Sequence, residues 1–404
     1  MAEQALSGVK VVECGSMVSA AYAAKLLADL GAEVVKIEQP GSGDEARSYG
    51  PFPGDIPHPE RSGLFLYLNA NKLGITLNLK TKSGRDIMHQ LLNEADILVE
   101  NHHPKEAKES GLDYDTLKEV NKDLIMLSIS PFGQKCGYSD YKGYEANCNA
   151  LGGITMYAGE PNREPLNPPL FLGSYQAGVA GAVACLIAMH ARDLIGHGQH
   201  IDLAKVDNWG SFHLGIPLVE YVFGRRIWQR YGRRAIGGPY PQTILGCKDG
   251  DFRLIAMTKL EWRRFLKIMD NPAWGDDLRF QDRIKMQQLY ADELDSLIEP
   301  WLKKHTKQGL FQMFYDGKVP FTPIKNIEDV VNDPHLSARD FFVQIDHPEA
   351  GRLECPGSPY KFSKTPPTIK RPAPLLGEQN EKIYCERLGY SRKELLRLRR
   401  TGVI

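Results

Sequence analysis

The segment LNPPLFLGSYQAGVAGAVACLIAMHARD, residues 166–193, sets one polar side chain where a proline-rich approach turns into a run of small and apolar residues. Two chemistries are open to that residue, Ser174. It can be a nucleophile, which needs a general base beside it, or it can cap the helix that follows by accepting a backbone N–H. No G-x-S-x-G surrounds it, and no aspartate lies between Asp140 and Asp193. Other common catalytic patterns are missing as well. There is no H-E-x-x-H, the turn after the first apolar run reads ECGSMVSAAY in place of G-x-G-x-x-G, and no G-x-x-x-x-G-K-[ST] occurs. The seven cysteines are scattered, Cys136 and Cys148 being the closest pair, which fits neither a metal site nor a disulfide framework. A reduced, cytoplasmic protein without a metal is expected. The cluster Arg225, Arg226, Arg230, Arg233 and Arg234 suits either a phosphate-bearing ligand or a solvated helix face.

The elements that must position these residues follow from the hydrophobic pattern. In the first 130 residues, apolar runs (GVKVVECG, EVVKIEQ, GITLNLK, ADILVEN, DLIMLSIS) alternate with helical stretches such as AAYAAKLLADLGA and TKSGRDIMHQLLNEAD, the latter with Thr81 or Ser83 as N-cap. Such alternation predicts an α/β fold with a parallel, helix-covered sheet. A helix is expected from Tyr175 to Asp193, then a strand at GQHIDLA, a helix in LGIPLVEYVFGRRIWQRYG and a Gly/Pro loop, AIGGPYPQT. A smaller alternating unit comes next, then a proline-rich crossing segment and the capped helix SRKELLRLRRTGVI. The organisation expected is a large Rossmann-like domain beginning over 1–225, a small domain over 226–334, and a linker returning to the large domain over 335–404. Lys plus Arg equals Asp plus Glu at 50 each, so no net charge points to nucleic acid or an anionic membrane. No stretch is expected to reach the roughly 20 apolar residues of a membrane span. MAEQALSGVKVVE lacks the basic start and apolar core of a secretion signal.

Five segments, GAEVVKIEQPGSGDEAR, YLNANKLGITLNLKTKSGRD, DILVENHHP, SISPFG and LGEQNEKIYCERLGYSRKELLRLRRTGVI, resemble class III CoA-transferases, the formyl-CoA and carnitine CoA-transferase family. The resemblance runs through essentially the whole chain. It implies a large and a small domain joined by two linkers, two such subunits threaded as interlocked rings, and transfer of CoA from an acyl-CoA to a carboxylic acid. No tightly bound cofactor is implied; CoA and its esters are substrates.

The chemistry implied is a relay. An enzyme carboxylate attacks the thioester and carries the acyl group as an anhydride, which is at least as energy-rich as the thioester it replaces. An oxygen ester lies well below both, so an acyl-serine would be a trap. In the family the nucleophile is an aspartate directly after the glycine that precedes the small-residue helix. Here that position is Ser174, within LGSYQAG, and Ser174 is expected to cap the helix.

Tyr144 and Glu145 match a Tyr-Glu pair near the active aspartate; racemase relatives carry His-Asp there, so racemisation is disfavoured. Glu145 is a carboxylate and satisfies the energy argument. The family, however, holds its nucleophile at a helix start among backbone N–H groups, a place Glu145 is not expected to reach. Its other reading is a structural glutamate bonding across the subunit interface. For CoA, the matching positions are the backbone of Met17 and Val18, with Lys72, Asn101 and Lys142. Gln39 and Glu109 stand where relatives carry arginines, a loss that His103, Lys105 or Lys108 would have to offset.

Three readings follow. The first is an aspartate-lacking subunit of a heteromeric enzyme, paired with a homologous subunit that carries the aspartate. It would move CoA from a donor such as succinyl-CoA to an acid such as (R)-benzylsuccinate. The second is a homodimeric acyl-CoA transferase or isomerase using Glu145, and the third a non-catalytic CoA-binding protein.

Overall fold

The computed structural model describes residues 4–234 and 237–404, so Ala235 and Ile236 of the expected Gly/Pro loop lie outside the described residues. The chain divides into two compact units. The larger comprises residues 1–155, 167–227 and 337–404, and the smaller 156–166 and 228–336.

The larger unit is built on six strands: β1 (Lys10–Cys14), β2 (Glu33–Glu38), β3 (Leu73–Thr76), β4 (Ile97–Glu100), β5 (Ile125–Ser130) and β6 (His200–Ala204). They pair in parallel in the order β3-β2-β1-β4-β5-β6. The near-continuous valine, isoleucine and leucine of β1, β2 and β4 are what a strand covered on both faces requires. The helices are α1 (Ser19–Asp29), α2 (Gly63–Asn69), α3 (Lys82–Asn93), α4 (Pro104–Glu109), α5 (Tyr114–Val120), α6 (Glu145–Leu151), α7 (Leu172–Ile195), α8 (Lys205–Phe212) and α9 (Gly215–Gly224). One sheet face packs α1 and α7 through Ala20, Ala24, Leu27, Ala177 and Cys185. The other packs α3, α5 and the returning C-terminal segment through Ile87, Leu91, Leu117, Tyr384 and Leu395. Thr81 caps α3, its hydroxyl accepting the Gly84 N–H.

The run of small residues in α7 is a packing device. A Cβ on Gly178 would lie 3.0 Å from the Ser19 carbonyl oxygen, and one on Gly181 would lie 2.7 Å from Leu127 Cδ2. Only bare backbone lets α7 lie this close to α1 and β5. Contrary to expectation, this 24-residue helix is long and apolar enough to cross a membrane by length and composition. Its apolar character is spent partly on the core just described, while Val179, Val183, Ile187 and Leu194 stay exposed. In α9, Ile216, Val219, Val222 and Phe223 are exposed too.

The tail rejoins the larger unit along β3: Asn380 accepts the Thr76 N–H at 2.9 Å, and the Tyr384 hydroxyl donates to the Thr76 carbonyl at 2.6 Å. A chain of buried ions underlies β1 to β3. Lys36 donates to Glu13 (2.7 Å) and pairs with Asp44 (2.8 Å), while Arg47 donates to Glu38 (2.6 Å) and stacks over Phe65 with its guanidinium 3.7 Å from the ring centre.

In the smaller unit, β7 (Gln242–Cys247), β8 (Gly250–Ile255) and β9 (Thr322–Pro323) form an antiparallel sheet. Phe252, Trp262, Phe265, Phe314 and Phe321 fill its core. The arginine cluster is largely structural. Arg230 donates to the carbonyls of Met156, Glu160 and Arg163, tying 156–166 into this unit. Arg233 and Arg234 both bond to Asp295. A phosphate would find the guanidinium groups of these three already engaged.

Candidate functional site

In a 3-2-1-4-5-6 sheet the strand order reverses between β1 and β4, and ligands bind in the crevice at the carboxyl ends of the strands there. A cleft of about 640 Å³ opens at the ends of β1, β2 and β4, within the size range of small-molecule sites. Asn101, one residue past β4, braces the β1–α1 turn whose Gly15 and Ser16 line this cleft. Its Oδ1 accepts the Ser16 N–H (2.9 Å), and its Nδ2 donates to the Ser16 carbonyl (2.8 Å) and to Ser19 Oγ (3.0 Å). Gly15 makes this contact possible, because a Cβ there would sit 2.8 Å from Asn101 Oδ1. Met17 adopts φ of +61°, and its N–H is taken by Asp44 at 2.9 Å; Val18 is buried. Thus Asn101, Met17 and Val18 are brought together at the β1–α1 turn, with Asn101 clamping that turn from the side.

Lys72 does not join them. It is 0 % exposed, and its ammonium donates to Glu13 Oε2 (2.6 Å), the Ala21 carbonyl (2.8 Å) and Asn69 Oδ1 (2.8 Å). With three protons and three buried acceptors it has none left for a phosphate. Burial pushes its pKa down to about 8 against the pull of Glu13, while burial of Glu13 is outweighed by Lys36 and Lys72, which hold its carboxyl below the ordinary value. The sequence reading missed the cations that do face the cleft, Lys80 and Arg85, on the turn leading into α3 and in its first turn. Gln39 and Glu109 line the same cleft. Lys142 is exposed on the loop before α6.

The start of α7 differs from expectation in an instructive way. The helix begins at Leu172 with Phe171 as N-cap, so Ser174 lies inside the first turn and is not the cap. The N-terminal N–H groups are instead met by Glu145, 29 residues earlier than Ser174. Glu145 Oε1 accepts from Gly173 N (2.6 Å) and Ser174 N (3.3 Å), and Oε2 accepts from the Ser174 hydroxyl (2.6 Å). Lys205, at the start of α8, donates to Ser174 Oγ at 2.9 Å. A carboxylate therefore does sit at this helix start, where N–H groups and the helix dipole favour negative charge. It comes from α6, through a side chain that sequence reading did not expect to arrive there. Tyr144 is the N-cap residue of α6, 72 % exposed.

Gly173 is the residue that admits Glu145. A Cβ there would lie 2.9 Å from Glu145 Oε1, 2.9 Å from Asn149 Oδ1 and 3.2 Å from Trp209 Nε1. The latter two already bond to each other at 3.0 Å, so neither is free to give way. Gly173→Ala is expected to push the carboxylate off the helix start and, because Asn149 and Trp209 cannot give way, to cost about 1–3 kcal/mol of stability. A thermal melt beside a structure of the variant checks this.

A second cavity, of about 410 Å³, opens beside the same turn, lined by Tyr49, Leu64, Tyr67, Phe171, Tyr175 and Cys355 among others. Its aromatic rings pack edge to face: Tyr22 on Tyr175 with centres 4.8 Å apart, Tyr49 on Phe171 at 5.3 Å. Met17 and Val18 belong to the same apolar cluster as Phe171 and Tyr175, so this cavity adjoins residues of the β1–α1 turn and of the start of α7. Glu354 is the one charged residue in its wall among the described residues, and the wall contains no cation.

The sequence pattern of CoA-transferase family III matches residues 6–380. The beta subunit of succinyl-CoA–L-malate CoA-transferase from Chloroflexus aurantiacus is 30% identical over 404 residues, 99% of this chain and 98% of that one. Formyl-CoA:oxalate CoA-transferase from Streptomyces avermitilis is 31% identical, covering 99% of this chain and all of the other. Among solved structures, a CAIB/BAIF family protein from Brucella suis superposes with a TM-score of 0.86 at 29% identity, over 95% of this chain and 99% of that one. The match begins before the first strand of the sheet and reaches into the tail that pairs with β3, so it takes in every element that builds the cleft and the helix start: the chain belongs to CoA-transferase family III.

Proposed function

We propose that this chain moves CoA between an acyl-CoA and a carboxylic acid, with the Glu145 carboxylate carrying the acyl group. The observation that supports this most is the seating of that carboxylate on the Gly173 and Ser174 N–H groups at the start of α7. Oε2 attacks the thioester carbonyl, the C–S bond breaks, and CoA leaves as thiolate, giving a glutamyl–acyl anhydride. Oε1 is now a carbonyl oxygen still held by two N–H groups, so the glutamyl carbon is polarised for the next attack. The thiolate adds there and expels the donor acid, leaving a glutamyl thioester. The acceptor carboxylate displaces the thiolate in turn, and the thiolate takes the new acyl group and frees Glu145. Lys205, through Ser174, supplies positive charge beside the oxygen that gains and loses it.

Incubation with an acyl-CoA followed by borohydride tests this. The expected result is a stable modification at Glu145 alone, the side chain having exchanged its carboxyl for a primary alcohol. Full turnover with Glu145 unmodified would refute the reading.

The heteromeric reading draws support from a different quarter, the name of a relative that is itself a subunit and the exposed apolar residues on α7 and α9. In it, this chain pairs with a homologous subunit carrying the aspartate and supplies the ring for that partner to thread. An arylated acceptor such as (R)-benzylsuccinate has a ring that the aromatic lining of the cavity beside the helix start would cover. Native mass spectrometry of the chain purified from its own host is expected to give one copy with one different chain of similar mass. Two identical copies would favour Glu145 working in a homodimer. Tight CoA binding without transfer in either form would leave only the non-catalytic reading.

A further inference from the structure

Among its described residues the larger unit holds five buried acids, and four of them have a cation. Glu13 and Asp44 have Lys36, Asp29 has Lys25 at 2.7 Å, and Glu38 has Arg47. Glu100, at the end of β4 and 1 % exposed, has none among the described residues. Its Oε2 accepts the His102 N–H at 2.7 Å and the Ser128 hydroxyl lies beside the carboxylate, but no cation and no well-formed hydrogen bond reaches its buried Oε1. An uncompensated buried carboxylate is costly, and removing its partner is what makes such a group destabilising elsewhere.

Glu100 lines a cleft of about 440 Å³ at the ends of β4, β5 and β6. The cleft is separated from the larger one by α4: Lys105 and Lys108 line one, Glu106 and Glu109 the other. In the same wall Gln134 is fixed by its backbone N–H on Asp202, and its side-chain Nε2 is likewise buried without an acceptor. The lining of this cleft thus includes a buried acceptor lacking a cation and a buried donor lacking an acceptor, together with Lys105, Lys108 and Lys135. Tyr114, its ring stacked on His200 at 11°, closes another side.

We infer that this cleft is a second small-molecule site, for an amino-acid-like zwitterion whose ammonium group pairs with Glu100 Oε1 and whose carboxylate is met by Gln134 Nε2 and the lysines. Ligand ammonium would supply the cation that every other buried acid of the unit already has. The occupant would share α4 as a wall with the nucleotide-sized cleft. The site goes beyond the transfer reaction and does not depend on Glu145.

The charge on Glu100 gives the binding a pH dependence. Facing it are Ser128 on β5, Asp202 and His200 on β6, Cys14 on β1 and the His102 amide. Burial raises its pKa to about 7, the Ser128 hydroxyl and the His102 amide pull it down, and Asp202 raises it further. His200, held neutral by burial, bonds Ser128 Oγ at 2.9 Å and adds no compensating charge. Ionised Glu100 therefore rises from about a tenth of molecules at pH 6 to about nine tenths at pH 8.

Isothermal titration of the purified chain with glycine, β-alanine, 4-aminobutyrate and lysine, beside ethylamine and butyrate, tests the assignment. At least one zwitterion is expected to bind saturably, about tenfold more tightly at pH 8 than at pH 6, and Glu100→Gln is expected to abolish that binding while CoA affinity is kept. Gln134→Leu should weaken the zwitterion and leave ethylamine unchanged, which carries the test should Glu100→Gln fold poorly. Absence of binding by every zwitterion, binding retained in Glu100→Gln, or affinity flat with pH would overturn it.

Discussion

Glu145→Gln is expected to lower CoA transfer by at least about 10³-fold while leaving CoA affinity and melting temperature close to wild type. The amide keeps the size of the side chain and an oxygen for the Gly173 N–H, so the first turn of α7 remains closed. What it loses is the charge that makes the group a nucleophile and an acyl carrier. A merely structural Glu145 predicts the reverse, a modest fall in stability and little change in rate, so a kinetic assay beside a melting curve separates the two. Ser174→Asp is a sharper variant of the same question. It would set a second carboxylate against Glu145, where Ser174 Oγ now lies 2.6 Å from Oε2. Two carboxylates so close cannot both ionise, so one holds a proton near neutrality. Activity in that variant should follow a pH limb set by the shared proton.

Lys72→Ala is expected to destabilise the larger unit by on the order of 3–5 kcal/mol, with the KM for CoA changed less than about twofold. The substitution strips Glu13 of one of its two cations and leaves the Ala21 carbonyl and Asn69 Oδ1 as buried acceptors without a donor. It also opens a void at the edge of β3 that the surrounding backbone is too well fixed to fill. Were Lys72 a phosphate ligand, the loss would fall on CoA affinity and the melting curve would hardly move. Denaturant titration and a KM determination on one preparation decide between them.

Lys72 shows where residue-by-residue reasoning stops. Its type and its place just before a strand fit a phosphate ligand, and nothing in the string of letters says that Glu13, 59 positions earlier, lies 2.6 Å from its ammonium. Lys80 and Arg85 had no distinguishing sequence signal at all; they matter because the end of β3 and the start of α3 turn them toward the cleft. Ser174 was singled out for the right place and the wrong task. A serine before a small-residue helix is the usual sign of a cap, but the proline-rich approach lets the helix start three residues earlier, and the cap is a carboxylate from another element.

The sequence alone determined the parallel sheet, from strand and helix periodicities that are local and repeat six times. It also determined the family, since its segments recur in order, and the loss of the usual aspartate, which is a fact about one letter. Only the tertiary structure decided which carboxylate stands at the start of α7, which lysine is spent in the core, and which buried acid was left without a cation. The reason is physical: periodicity is set by neighbours three or four residues apart, whereas a charge is defined by what the fold brings within about 3 Å of it, and those partners come from anywhere in the chain.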